Sequence, residues 1–200
     1  MHESSFRNME QFTKKYLEKF KDKSIKILDI GSQDVNGSYK PIFQNTNWEY
    51  YGCDMVEGKN VDIMLNDIYD WRNIKSESFD VVISGQAFEH IEFFWITMLE
   101  ISRILKDDGI CCIIAPSSGN EHRYPLDCWR FYPDGFAALS KYTGLNVLQI
   151  YTEWDKENYP DCDPAWRDSV LICKKPKMRV RRKIKFWVKN KLSKFIVKLE

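Results

Sequence analysis

Asp54 lies 23 residues beyond Gly31 at the end of an apolar run, where a carboxylate can accept hydrogen bonds from both hydroxyls of a ribose. Asp67, in Asn66-Asp67-Ile68, precedes the next long apolar run. It could accept from an exocyclic amine of a purine while a backbone N–H meets the ring. Gly31 sits in Asp29-Ile30-Gly31-Ser32-Gln33-Asp34-Val35-Asn36-Gly37, and a glycine there lets the backbone approach a nucleoside with no Cβ in the way. Each carboxylate taken alone is as readily a solvated loop acid. Three such features in order, each at a strand end, are harder to explain so.

Further along, Phe88-Glu89-His90 supplies a histidine whose intrinsic pKa suits a general base near neutral pH. Its structural alternative is a helix-start residue that caps or packs, and Glu89 would either anchor the turn or touch substrate. The stretch from Glu121 to Tyr132 mixes aromatics, charges and a histidine, as a pocket wall does. There His122 or Asp127 could act as base, Arg123 or Arg130 could pair with an anionic acceptor, and Tyr124 and Trp129 could flank it. Otherwise the stretch is a cover whose aromatics seal the sheet. No metal is expected, because neither His90 nor His122 has a cysteine partner at zinc-ligand spacing. Asp161-Cys162-Asp163, between Pro160 and Pro164, reads as a plain turn.

Strands and helices alternate around these residues. Short apolar runs predict strands at Ile25–Ile30, Glu49–Cys53, Val61–Met64, Phe79–Ser84, Ile110–Ala115, Asn146–Tyr151 and Ser169–Cys173. Met9–Phe20 has helical spacing and is expected to pack on the domain. Phe93–Leu105 is a second helix, with Ile96, Leu99, Glu100, Arg103 and Ile104 dividing an apolar from a polar face. Asp107-Asp108-Gly109 ends it. Pro133–Tyr142 is a third, with Gly144 just past its end. The expected fold is a Rossmann-like α/β sheet of seven strands, mostly parallel, with helices on both faces. The last two strands have no helix between them, so they should form a hairpin with one strand antiparallel to the rest. Residues 1–24 form the N-terminal helix, 25–175 the domain and 176–200 a tail.

The chain resembles the class I S-adenosylmethionine-dependent methyltransferases, in particular the group with a methyltransferase-11-like domain. The resemblance rests on ILDIGSQDVNGSY, YYGCDMVEGKNVDI, SFDVVISGQAFEHI, MLEISRILKDDGICCIIAPS and RFYPDGFAALSKYTGLNVL, in that order. It implies that Asp29, Gly31, Ser32, Gln33 and Gly37 shape the methionine end of the cofactor pocket. Asp54, with Met55, would hold the ribose, Asp67 and Ile68 the adenine, and Gly85 and Gln86 would border the sulfonium. The family's glycine loop is usually GxGxG, whereas here Ser-Gln-Asp-Val-Asn separates Gly31 from Gly37. A nicotinamide-linked, NAD(P)-dependent oxidoreductase is the first rival, but it needs G-x-G-x-x-G to seat a pyrophosphate on a helix N-terminus. A non-catalytic scaffold of the same fold is the second. The implied reaction converts S-adenosylmethionine to S-adenosylhomocysteine while methylating a hydroxyl, less often an amine, of a sugar or other small metabolite. Surface-polysaccharide or lipid-linked glycan assembly is the implied setting.

Charge divides the chain in two. From residue 174 onward twelve Lys or Arg meet one acid, a net +11, while the remainder carries 18 bases and 28 acids, a net −10. In the tail Val180, Ile184, Trp187, Val188, Leu192, Phe195, Ile196 and Leu199 share one helical face. Such a helix could lie on an anionic membrane surface or dock on its own or a partner's acidic domain. Nucleic acid is disfavoured by repulsion from the acidic domain. Met1 to Ser24 lacks the apolar stretch of a secretory signal, and Cys53, Cys111, Cys112 and Cys173 fall in apolar runs as core thiols do. A cytoplasmic protein, peripheral at the inner face of a membrane, is therefore expected.

Overall fold

A computed structural model of the chain describes residues 3–44 and 47–197; Leu199, expected on the tail's apolar face, lies outside them. Seven strands form one sheet: β1 (Lys26–Ile30), β2 (Glu49–Asp54), β3 (Ile63–Met64), β4 (Phe79–Gly85), β5 (Leu105–Pro116), β6 (Asn146–Thr152) and β7 (Asp168–Lys174). Their order is β3-β2-β1-β4-β5-β7-β6. Strand β7 runs antiparallel to both its neighbours, and the other pairings are parallel. This is the expected hairpin, placed so that β7 enters between β5 and β6. The chain leaves β1 toward β2 and β3 and returns to β4 and β5 on the other side. A cleft therefore opens between the carboxyl ends of β1 and β4.

The strands are buried on both faces, and successive side chains alternate between two cores. Leu28, Ile30, Val82, Cys111, Ile113, Leu171 and Cys173 join one; Ile27, Val81, Ile83, Cys112, Ile114, Val170 and Ile172 join the other. Helix α1 (Glu3–Phe12) covers the second core with Met9 and Phe12, then continues as a π turn, Thr13–Leu17, and a 3-10 turn, Glu18–Phe20. It starts six residues before the apolar periodicity does. Its first buried residues are Ser4, Ser5 and Asn8, whose polarity hid them.

A short α2 (Lys40–Phe43) follows β1, and α3 (Phe94–Ile104) and α4 (Pro133–Thr143) cover the other face. Gly144 ends α4 in the left-handed conformation, φ 75°. After α3 the chain is extended at once: Leu105 pairs with Phe79, residues 106–109 loop out, and pairing resumes at Ile110 with Val81. The predicted break at Asp107-Gly109 is thus a bulge inside β5. All six cysteines are free, and only Cys128 is exposed.

The tail forms α5 (Val180–Val197) and packs on the domain with its polar side. Asn190 and Lys194 are its buried residues, whereas Trp187 is 60% and Phe195 61% exposed. Glu100 explains the orientation. This fully buried carboxylate accepts from Arg103 Nη2 at 2.8 Å, Asn190 Nδ2 at 2.8 Å and the Trp71 N–H at 3.0 Å. Lys194 Nζ stands 2.8 Å from Glu100 and 2.9 Å from Asp70. Burial alone would raise the Glu100 pKa, but Arg103, Lys194 and Asn190 together hold it below its ordinary value. Glu100 is therefore not on a solvated face of α3, because the tail supplies its partners. No helix among the described residues is long and apolar enough to cross a membrane.

Candidate active site

A cavity of about 680 Å³ opens at the carboxyl ends of β1, β2 and β4, within the range of small-molecule sites. Its near wall is the loop after β1. Gly31 N–H and Ser32 N–H both donate to Cys53 O, at 2.9 and 3.2 Å. Gly31 has φ 75°, and a Cβ on it would stand 2.6 Å from the Ala87 Cβ. Asn60 knits the loop where glycines are sparse: its Nδ2 donates to Ser32 O and Ser38 Oγ at 3.0 Å and to Tyr50 Oη at 3.1 Å. Beneath it, buried Asp29 accepts from Tyr50 Oη at 2.5 Å. Burial pushes the Asp29 carboxyl up to about 7, with the Tyr50 hydrogen bond opposing.

At the end of β2, Asp54 Oδ1 accepts from Met55 N–H at 2.7 Å and Val56 N–H at 3.3 Å, and Oδ2 from Gln33 N–H at 3.1 Å. A carboxylate has about four acceptor positions, so one remains, on Oδ2. At the end of β4, a Cβ on Gly85 would stand 1.9 Å from Tyr39 Oη, so only glycine lets the Tyr39 phenol pack against the cavity floor. Gln86 follows with φ 56°, a conformation that costs a non-glycine residue about 1–3 kcal/mol. Its side chain holds that shape by donating to Asp168 Oδ1 at 2.8 Å and Ser5 Oγ at 3.3 Å.

Across the cavity stands a 3-10 turn, Phe88–His90, anchored by Phe88 in the core. The Glu89 carbonyl accepts from the N–H groups of Cys128 and Trp129 at 2.7 and 3.2 Å, which ties residues 121–132 to the turn. Glu89 is fully buried, and neither carboxylate oxygen has a hydrogen-bond partner. Burial pushes its carboxyl up to about 8 and pulls the His90 imidazolium below its ordinary value. The rings of His90 and His122 lie 5.0 Å apart, edge to face.

Residues 28–113 match the family described as a methyltransferase domain. The chain carries a methyltransferase domain with the class I fold. No curated protein sequence matches it. Among solved structures, the 1,6-didemethyltoxoflavin-N1-methyltransferase of Burkholderia thailandensis, with 1,6-didemethyltoxoflavin and S-adenosylhomocysteine bound, superposes with TM-score 0.66. That match has 14% identity over 88% of this chain and 80% of the other. A SAM-dependent methyltransferase of Archaeoglobus fulgidus matches at TM-score 0.59 and 17% identity, over 86% and 95% of the two chains. The (4+2)-cyclase SpnF matches at TM-score 0.64 and 12% identity, over 86% and 81%. One of these three neighbours is a cyclase, so the fold by itself does not choose the acceptor.

The cavity gathers most of the expected residues. Asp29, Gly31, Ser32, Gln33, Gly37, Asp54, Met55, Ile68, Gly85 and Gln86 line it on the near side, and Glu89, His90, His122, Arg123 and Tyr124 on the far side. Four expected residues do not line it. The Asp67 carboxylate turns back to accept from Tyr69 N–H at 2.7 Å, leaving Ile68 and Tyr69 at the wall. Asp127 is held by a two-pronged Arg130 contact at 2.6 and 2.8 Å and also accepts from His122 N–H. The Arg130 guanidinium holds the Asp127 carboxyl far below the carboxylate range, so it is too weak a base for the role proposed. Arg130 is spent on that pair, and Trp129 packs on Phe94 and donates to Glu92 O at 2.9 Å. Sequence reasoning missed Tyr39, Asn60 and Tyr69. The first two reach the site through partners distant in sequence, but Tyr69 stood one residue beyond Ile68.

Proposed function

We propose that the methyltransferase acts on a hydroxyl, less readily an amine, of a sugar or other small polar metabolite in surface-polysaccharide or lipid-linked glycan assembly. The observation that carries this reading is the far wall of the cavity, where Glu89, His90, His122, Arg123 and Tyr124 face the cofactor half. A polar wall suits a hydroxylated acceptor, and exposed Arg123 could meet an anionic group on it. The residues fit the cofactor: the cavity opens beside Gly31 and Gly85, and Asp54 keeps an acceptor position for a ribose hydroxyl. Bound there, S-adenosylmethionine supplies a methyl group on a positively charged sulfur, with a neutral thioether to leave. Asp54 would bind the ribose, Ile68 and Tyr69 would flank the adenine, and Gly85 and Gln86 would border the reacting end. The protein's task is then to orient the acceptor and exclude water. The test is methyl transfer to a panel of nucleotide sugars, lipid-linked sugars and small amines, read by mass spectrometry. An O-methyl sugar is expected; methylation of amines alone would overturn the acceptor class.

Peripheral attachment at the cytoplasmic face of a membrane is part of this proposal. Helix α5 spends its polar side on the domain and turns Ile184, Trp187, Leu192, Phe195 and Ile196 outward, flanked by exposed Arg179, Arg181, Lys185 and Lys191. An apolar stripe with basic flanks complements an anionic lipid surface, each basic residue adding about 1 kcal/mol near it. Sedimentation with phosphatidylglycerol vesicles should bring the chain down. Trp187→Ala with Phe195→Ala should weaken this, each ring contributing about 1.5–3 kcal/mol. Equal binding to neutral vesicles, or a soluble dimer that loses its contacts in the same variant, would overturn the lipid assignment.

A further inference from the structure

Glu89, His90 and His122 each offer a ligand atom, and these atoms lie within 4.8 Å of one another. Glu89 is the informative member. It is wholly buried with both oxygens unpartnered, and the nearest group able to carry positive charge is His90 Nε2, 3.7 Å away. A buried carboxyl of this kind stays protonated unless a cation pairs with it or a metal binds it, because an isolated buried charge is very costly. Both histidines are turned as ligands are. His90 Nδ1 meets the Leu126 carbonyl at 2.5 Å, and His122 Nδ1 stands 3.4 Å from Asp127 Oδ2, close but not yet hydrogen-bonded. With Nδ1–H directed to the Leu126 carbonyl, Nε2 of His90 keeps the lone pair, which is how ligating histidines are held. Arg130 in turn keeps Asp127 ionised behind His122.

We propose that Glu89, His90 and His122 form a binding site for a divalent transition-metal ion at the acceptor end of the cavity. One carboxylate and two imidazoles are a donor set that zinc or iron accepts and that magnesium or calcium does not favour. Ligands about 2.1 Å from a tetrahedral ion stand about 3.4 Å apart, so the three side chains close inward by roughly an ångström on binding. Three protein ligands leave positions open on the ion, and all three residues line the cavity. On the hydroxyl-acceptor reading, an oxygen of the acceptor fills one of them. The ion's binding does not depend on that reading.

The test is titration of the full chain with Co²⁺, followed by its visible ligand-field bands and by displacement with Zn²⁺. One equivalent should bind, and Glu89→Gln and His122→Ala should each weaken it more than about 100-fold, beyond the loss seen for outer-sphere partners. Zinc-edge anomalous diffraction from soaked wild-type crystals should give one peak between the three side chains, a readout that stands even if a variant fails to fold. Equal Co²⁺ affinity in wild type and variants, or a zinc peak elsewhere or none, overturns the site. Calorimetry with S-adenosylhomocysteine on the same samples separates the two claims: failure there sinks the cofactor assignment and leaves the metal result to decide this one.

Discussion

Replacing Glu100 by alanine should release the tail from the domain. The carboxylate is fully buried and gathers Arg103, Lys194, Asn190 and the Trp71 N–H. Removing one member of a buried ion pair costs about 3–5 kcal/mol, since the remaining charge stays desolvated. Arg103 would keep the carbonyls of Ile74 and Trp71, and Lys194 would keep Asp70. Those survivors place the effect near the lower end, about 3 kcal/mol. In a chain of this size each kcal/mol lowers Tm by about 2–4 °C, which gives a fall of about 6–12 °C. Circular dichroism melting measures it, and limited trypsin digestion tests the cause, since α5 carries the cleavage sites at Arg181, Arg182, Lys183 and Lys185. The variant should melt early and be cut first within α5. A Tm within about 2 °C of wild type would refute the reasoning, because the desolvation cost would then be absent. So would a large fall with α5 still protected, because Glu100 would then serve α3 alone.

Asp54→Ala should weaken S-adenosylhomocysteine binding by about 1.5–3 kcal/mol, roughly 10- to 150-fold, the scale of a charged hydrogen bond; unchanged calorimetric affinity would show the ribose is held elsewhere. Gly85→Ala forces Tyr39 off its position and should cost about 1–3 kcal/mol of stability together with cofactor affinity; a variant that binds as wild type would mean that Tyr39 yields freely. Asp29 has its pKa raised to about 7 in the fold against about 3.9 when unfolded. Between those values the folded state holds a proton the unfolded chain has lost, so this contribution to stability falls as pH rises. Asp29→Asn should flatten that part of the urea-unfolding curve between about pH 4 and 7, and an unaltered slope would assign it to the other raised carboxyls, Glu89 and Glu153.

The sheet was legible because its strands are short apolar runs separated by glycine, proline and helical spacing. The hairpin followed from the missing helix before Ser169. What sequence could not show depends on contacts between distant segments. Ser4 and Ser5 look like solvated residues until Asp168 and Tyr39 meet them. Glu100 looks like part of a wet helix face until the tail arrives with Asn190 and Lys194. The two fates weighed for the tail, membrane and docking, prove geometrically compatible, since docking uses the polar side and leaves the apolar one outward. At the site, Asp127 and Arg130 were read as separate candidates, whereas three-residue spacing allowed them to neutralise each other. Zinc was disfavoured for want of a cysteine at ligand spacing, whereas the Glu89, His90 and His122 cluster contains none.

Ser5 Oγ lies 2.6 Å from Tyr39 Oη, Gln86 reaches both Ser5 and Asp168, and Ser4 Oγ donates to Asp168 at 2.9 Å. The back of the cofactor cavity is thus stitched from the first turn of the chain and the first residue of its last strand. During synthesis the ribosome must deliver residue 168 before that seam can close, so nascent fragments that already hold β1, β2 and β4 still lack a finished pocket. Ligand binding then reports on completion of the whole sheet, and a bulky extension placed directly against Ser4 disturbs a cavity that looks remote from it in the sequence.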